Sequence, residues 1–559
     1  MSLIALVPLD DRPPNYDFPQ YIGRIAGMEV LLPPREWLGN LWRGAQIERI
    51  AEWLRDLAPQ LDAAIVALDT LGYGGLVHSR QSYDSVETVL GRLTLLRELK
   101  RRHPSLYLLG FHVLMRITRS NTAEEEKPYW GTYGARLFRL SYLTDKADMG
   151  DASPEEVVER DRLAAELPQE VVRDYLDGRA RNYAVIRTML QWTSEGIFDY
   201  LLIPQDDTAE YGWNIAESRA LRREIRALGL ADRATTYPGT DEIGMILLAR
   251  VICQEQGMQP RVWDRYSSCR ASQVITAYED RPMPELVKAH LAPLGGMVVG
   301  SPEEADFLLF INSPGEVQGE AAAQLPLRWN EEERKARLPG YPERHADLAT
   351  SPMARATQRE MNTALRNVDE FVRAAAYHVG QGRLVAIADV AFVNGADLAL
   401  GERLLEVGLA PRLAAYAGWN TAGNTLGTVI AHAVARATYL RKGGGREGLR
   451  AHVAHLFLRF LDDFCYQAIA RTETMLMDLP ALGIEPMMIA LPRDAEAVQA
   501  RVAARLAKQA EKLADAFRGV SLPGVLSPTI GEITVRDVRL PWRRLFEMGC
   551  QVDVRFADE

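Results

Sequence analysis

Short apolar runs, each closed by a polar or glycine-rich cluster, alternate with helix-periodic stretches through the first half of the chain. Residues 3–9 form the first run, which ends in Asp10-Asp11-Arg12-Pro13-Pro14; residues 28–32 form the second, closed by Pro33-Pro34. Residues 46–57 (QIERIAEWLRDL) place Ile, Ala, Leu and Trp at helical spacing and predict a helix. A strand over 63–68 runs into Asp69-Thr70-Leu71-Gly72-Tyr73-Gly74-Gly75, a helix covers 86–100, and a strand over 106–115 leads into Arg116. After a polar, aromatic and then helical stretch, residues 200–204 make a strand ending in Gln205-Asp206-Asp207-Thr208. Asn214 is the expected cap of the next helix, which closes on Gly229, and a short strand over 234–237 ends in Pro238-Gly239-Thr240-Asp241-Glu242. Strand, polar cluster and helix in repetition are the pattern of βα units around a parallel sheet.

The rhythm changes from about Trp263. Residues 297–300 and 307–312 predict two strands of a smaller α/β unit, and the polar stretch 326–353 an excursion or lid. Further strands are expected over 384–388, running into Asp389, and over 413–416, running into Gly418-Trp419-Asn420-Thr421. A helical tail over 449–517 and terminal strands over 533–538 and 550–556 complete the reading, with no internal repeat. The fold expected is α/β, with parallel βα units forming a TIM-barrel-like or open Rossmann-like sheet. A second, smaller α/β unit and a mainly helical C-terminal region follow, with boundaries at 1–260, 261–440 and 441–559.

Composition narrows the class. A chain of 559 residues, 47% hydrophobic and 25% charged, has material for more than one folded core. The net charge of −10 argues against nucleic-acid binding, and the basic stretch 441–450 lacks the aromatic platform such binding uses. Four cysteines, none in a CxxC pair, exclude a disulfide framework and a zinc ribbon. The first residues carry no basic n-region, and no apolar run approaches the ~20 residues that span a bilayer. A cytoplasmic location with no membrane partner is therefore expected.

Ligands of parallel α/β sheets bind beyond the carboxyl ends of the strands. Five of those ends are acidic here: Asp10-Asp11, Asp69, Asp206-Asp207, Asp241-Glu242 and Asp389. Facing one rim they would repel one another unless a ligand, a cation or an arginine such as Arg12, Arg80 or Arg116 offset the charge. In LLIPQDDTAEYGWN, two adjacent carboxylates share a loop with Tyr211 and Trp213. Such a pair keeps one proton easily and suits general-acid chemistry, whereas simple turn and capping bonds are the bland alternative. In DTLGYGGLVHSR, glycines permit close backbone approach to a ligand while Tyr73, His78 and Arg80 supply polar contacts; a tight turn is its alternative. In AYAGWNTAGNTLGT, Trp419, Asn420 and Asn424 stand where a strand passes into a helix, a place suited to hydroxyl groups. The nine histidines form no HxH or HExxH; His452 and His455 share a helix face without a carboxylate partner and read as core or surface residues, and His112, in a strand that ends at Arg116, is the one candidate for mutation. Neither GxSxG nor GxGxxG after a strand is present.

Taken together, PLDDRPPN, LDTLGYGGLVHSR, IPQDDTAEYGWN, YPGTDE and AYAGWNTAGNT resemble a bacterial family catalogued as domain of unknown function 4127. That resemblance runs to about residue 430 and implies no activity. The adjacent aspartates with nearby Tyr, Trp and Asn also look like the substrate-assisted N-acetylglucosaminidases of the hyaluronidase and O-GlcNAcase type. This second resemblance implies that Asp206 orients the acetamido group and Asp207 is the general acid. It further implies that Asn420 or Asn424 holds sugar hydroxyls and that Trp419 packs on the ring. The opening barrel motif of those enzymes is missing.

The first expectation is a glycoside-hydrolase-like enzyme for a small or amino-sugar substrate. Asp206 and Asp207 would be catalytic; Asp10, Asp11, Arg12, Asp69, Tyr73, Arg80, Arg116, Tyr211, Asp241, Glu242, Trp419, Asn420 and Asn424 would bind substrate. No cofactor is expected under that reading. The alternatives are a divalent-metal isomerase, lyase or hydrolase, with Mg or Mn held by Asp10, Asp69, Asp206 and Asp241, and a non-catalytic sugar-binding protein. No oligomeric state follows from the sequence.

Overall fold

The computed structural model describes residues 2–338, 340–348, 350–484, 492–523 and 527–559. The chain divides into two compact units, the first made of 1–16, 28–247 and 278–281, the second of 17–27, 248–277 and 282–559.

In the first unit, strands β1 (Leu3–Val7), β2 (Glu29–Leu31), β3 (Ala63–Ala67), β4 (Tyr107–Phe111), β5 (Tyr200–Gln205) and β6 (Ala234–Pro238) form one parallel sheet. Its order is β2-β1-β3-β4-β5-β6. β3 (AAIVA) is buried throughout, as a strand covered by helices on both faces must be. β2 and β6 are free edges, so of the two expected architectures the open Rossmann-like sheet is found and a closed barrel is not. The order reverses between β1 and β3, which marks a topological switch point.

Helix Val86–Arg102 starts where the Ser85 hydroxyl accepts from Thr88 N–H, and helix Pro154–Glu166 carries a full Ser153/Glu156 capping box. The helix after β5 runs from Trp213 to Ala227 with Gly212 at its cap position, so Asn214 is not the cap. The loop entering this helix is held from outside: Gly212 N–H donates to Asp145 (2.9 Å) and Trp213 N–H to Ser141 Oγ (2.8 Å), both on helix Trp130–Asp148.

The second unit contains strands β7 (Arg261–Tyr266), β8 (Met297–Val298), β9 (Phe307–Asn312), β10 (Gly319–Glu320), β11 (Val385–Asp389), β12 (Phe392–Val393), β13 (Ala415–Ala417), β14 (Ile530–Arg539) and β15 (Gly549–Phe556). Its main sheet is parallel in the order β13-β11-β9-β7-β8; β10 pairs with β12 and β14 with β15. Numbered within this sheet and read from the β8 edge, that order is second, first, third, fourth, fifth, the same as for the first five strands of the other sheet. A topology is thus repeated where the sequence shows no repeat. β7 lies where only a change of rhythm is legible, because the charged residues of RVWDRY interrupt the apolar run without strict alternation.

Within 326–353, which was expected to be an excursion, the described residues include helix Glu331–Arg337 with an Asn330/Glu333 capping box; residues 339 and 349 lie outside the description. Helix Ala422–Arg441 is buried along almost its whole length, and helix Arg446–Arg459 continues into a π-helical stretch, Phe460–Ala470. Of the expected tail 449–517, residues 485–491 lie outside the description. Among the described residues no helix is long and apolar enough to cross a membrane.

Candidate functional site

The carboxyl ends of the first sheet gather most of the expected residues into linked polar groups. Asp10 follows β1 and Asp241 follows β6, with three strands between them in the sheet, yet Arg12 reaches both. Its Nη2 lies 2.6 Å from an oxygen of each carboxylate, and its Nε donates to Asp10 at 2.9 Å. Asn15 Nδ2 donates to the same pair at 3.0 and 3.3 Å. Four buried groups thereby tie the loops of β1 and β6 together. Asp11 lies beside them with its carbonyl accepting from Arg35 (2.5 Å), and Glu242 is fully buried near Tyr237, whose phenol is pushed up by burial and by that carboxylate.

A second group stands between β3 and β4. Asp69 Oδ2 accepts from Val113 N–H at 2.9 Å, while Oδ1 sits 3.9 Å from His112 Nδ1. Asp69 Oδ1 and His112 Nε2 are buried without a hydrogen-bond partner among the described residues, and the Tyr73 ring lies under Arg181. Among the glycines of this loop, Gly74 (φ +97°) packs on the main chain of 39–45, its carbonyl accepting from Ala45 N–H at 2.8 Å.

The third group holds the aspartate pair. Arg80 pairs with Asp206 and reaches Glu125 at 3.2 Å and Glu126 at 3.6 Å. Arg116 reaches Glu126 at 2.7 Å, Glu125 at 3.0 Å, Asp207 at 3.1 Å and Asp206 at 3.8 Å, the last two from the single nitrogen Nη1. Asp207 adopts a left-handed backbone (φ +42°), unusual for a residue with a side chain. Burial pushes its carboxyl up to about 6; Arg116 and Arg80 pull it down, while Asp206 and Glu125 push it further up. Glu125 and Glu126 escape notice in the sequence because AEEEK reads as a solvated charged loop. Only their position soon after Arg116, at the end of a strand, points to a rim role.

Tyr211 is directed elsewhere. Its hydroxyl donates to Asp151 at 2.9 Å and its ring meets Tyr142 edge-on. Trp213 packs near Tyr175 in a separate apolar cluster. Trp419, Asn420 and Asn424 belong to the second unit, after β13. There the Trp419 indole donates to Thr428 Oγ1 at 3.2 Å, Asn420 is left-handed (φ +53°), and Asn424 N–H donates to the Thr421 cap.

One family model, described as a protein of unknown function (DUF4127), matches residues 4–551. The chain belongs to the DUF4127 family. No curated protein and no solved structure matches it. In this DUF4127 protein the carboxylates proposed as metal ligands do not converge: Asp10 and Asp241 are engaged by Arg12, Asp206 by Arg80, and Asp69 partly by Val113 N–H. Among the described residues no group of three or more His, Cys, Asp and Glu is placed to hold a metal ion.

The second sheet has a rim cluster of which the sequence marks only Asp389, as an acidic strand end. Asp389 accepts from Asn312 Nδ2 (2.8 Å), Asp397 N–H (2.8 Å) and Tyr416 OH (3.2 Å). Arg366 pairs with Asp397 and lies 3.0 Å from Glu360. Asp463, in the π-helical stretch, accepts from Gly418 N–H (2.7 Å) and pairs with Arg459 (2.8 Å). Burial pushes Asp389 up to about 7, aided by Asp397. Burial also pushes Asp463 up to about 8 against the pull of Arg459.

Proposed function

We propose that this DUF4127 protein is a glycoside-hydrolase-like enzyme whose active site is the rim of the first sheet, with Asp207 as general acid. The observation that carries this reading is the unlike setting of two adjacent carboxylates. Asp206 is paired with Arg80, while burial pushes Asp207 to about 6, so Asp207 can hold a proton into the weakly acidic range beside a carboxylate tied to arginine. Asp206 then steers the nucleophile or balances the positive charge that develops on the sugar ring.

Charge supports a carbohydrate. Four carboxylates (Glu125, Glu126, Asp206, Asp207) meet two guanidinium groups (Arg80, Arg116), an excess of two acids. Such a rim repels phosphate esters and uronates and suits neutral or amine-bearing sugars. Because the acids are engaged by arginine, the divalent-metal alternative gains no support from the donor set.

The test is a hydrolysis screen of the purified protein against aryl glycosides, with and without chelator. Chelator-insensitive release from one glycoside, absent in Asp207→Asn, is the expected result. Unchanged turnover in Asp207→Asn would sink the reading.

A further inference from the structure

Three histidines that the proposed reaction does not use lie together inside the second unit. His432 stands on helix Ala422–Arg441, His452 and His455 on helix Arg446–Arg459, and all three are buried. His432 Nε2 and His452 Nδ1 share a hydrogen bond of 2.9 Å, and the His455 ring lies 4.8 Å from that of His432. The Leu413 carbonyl draws the His452 proton to its other nitrogen. Nδ1 of His452 therefore accepts from His432 Nε2–H, and His432 Nδ1 carries a bare lone pair. That atom and both nitrogens of His455 are buried without a hydrogen-bond partner among the described residues.

A core built in this way has no place for one more proton. On His452 Nδ1 it would face the His432 N–H, and on His432 Nδ1 or the second nitrogen of His455 it would meet no acceptor. The charges that act on the rings are cations as well, Arg436 from helix 422–441 and Arg459 from helix 446–459. Asp462 and Asp463, in the π-helical stretch that follows, are paired with Arg459. Helix Phe18–Ala26 turns the rings of Phe18 and Tyr21 toward His455, each at 5.5 Å. Around Tyr21 stand the Cys550 thiol, Asp17 (paired with Arg539), Arg24 and Asp553 (paired with Arg536). Burial holds all three imidazoles below their ordinary range, His432 down to about 3, and the two guanidinium groups add to the effect.

One of the three helices can yield without breaking the core. Helix 422–441 is buried from Ala422 to Tyr439. Helix Phe18–Ala26 has nine residues, lies on both of the others, leaves Arg24 exposed and ends at a left-handed Gly27 (φ +74°). A slot of about 680 Å3 opens along its flank, with Tyr21 and Arg24 on one side and Ala451 and Ala454, the residue before His455, on the other. Lifting this helix would join His455 to that slot and leave the sheet of the unit in place.

We propose that helix Phe18–Ala26 is an acid-released latch: a proton taken up by the His432–His452–His455 group lifts it off helices 422–441 and 446–459 while the strands of the second unit stay formed. A released histidine returns to its ordinary value near 6.5, above the value it has under the helix. The docked helix therefore keeps its full stability above that pH and loses it as pH falls. For one histidine that charges, the docking equilibrium shifts about a hundredfold between about pH 7.5 and 4.5.

The experiment is hydrogen–deuterium exchange of the full chain from about pH 7.5 to about 4.5, each rate divided by the intrinsic rate at that pH. Protection of residues 18–26 is expected to fall about a hundredfold while that of β9 and β11 holds. His455→Phe and the smaller His455→Leu remove a ring that has no hydrogen bond to lose. At least one of them is expected to flatten the fall by about tenfold or more. Protection of 18–26 that stays level with pH, a parallel loss in β9 and β11, or a fall of the parent's size in both variants would overturn the proposal.

Discussion

At the rim of the first sheet, the side chains of Glu125, Asp206 and Asp207 keep 15%, 16% and 20% of their surface open to solvent; at the rim of the second, Asp397 keeps 2% and Glu360 none. Both clusters follow strands in the same order, and both set carboxylates against arginine. A raised carboxyl is common to both rims, and exposure is what separates them. Asp389 and Asp463 are pushed higher than Asp207 but sit inside a closed hydrogen-bonded network, as a structural knot does. Asp207 combines a raised carboxyl with access, and access is what a substrate needs.

The sharpest way to break the comparison is to exchange the roles. Asp207→Asn should lower turnover on a responsive glycoside by ~10²-fold or more with little change in melting temperature, measured by initial rates and thermal unfolding. Arg366→Ala should do the reverse. It leaves Asp397 and Glu360 buried without their cation and should cost about 3–5 kcal/mol in denaturant unfolding. If Arg366→Ala left stability intact, the second rim would not be a knot.

The pH dependences should also separate the rims. Activity that needs protonated Asp207 should fall as pH rises past about 6, and Arg116→Gln, which removes a pull toward ionisation, should move that midpoint upward in a rate profile. In the second unit, Asp463 is raised from 3.8 to about 8. Its proton therefore favours the folded state fully below about pH 4, and that contribution declines with rising pH until it is gone above about 8. The melting-temperature advantage of the parent over Asp463→Asn should shrink between pH 5 and 9. The smallest effect should come from Arg102→Ala: its partner Glu98 lies on the surface, so a change within about 0.5 kcal/mol is expected, and a larger one would mean that burial is not what separates strong from weak pairs here.

The apolar runs made the sheets legible, because strands buried on both faces must be apolar throughout; the runs at 3–9 and 106–115 only overstate strands that stop at Val7 and Phe111. β7 was hidden because Arg261, Asp264 and Arg265 break the apolar run. Local spacing also exposed Asp206-Asp207 and Asp10-Asp11-Arg12. What it could not show were the partners: Arg12 meets Asp241 across 229 positions, and Asn312 meets Asp389 across 77. No periodicity encodes such pairings. The capping role given to Asn214 failed because the helix starts one residue earlier, at Trp213, where Ser141 and Asp145 of a distant helix hold the entering loop.

Helix Phe18–Ala26 lies in the chain between β1 and β2 yet belongs to the second unit, where it packs on helices 422–441 and 446–459. During synthesis the first sheet can assemble long before those helices exist. Phe18, Ile22 and Ile25, buried in the finished protein, must then wait uncovered while more than half of the chain is still to be made. A ribosome releasing this protein therefore presents a sticky amphipathic helix near its amino end for most of translation. That makes the nascent chain a natural client for holdase chaperones and a poor subject for truncation at the boundary near residue 247.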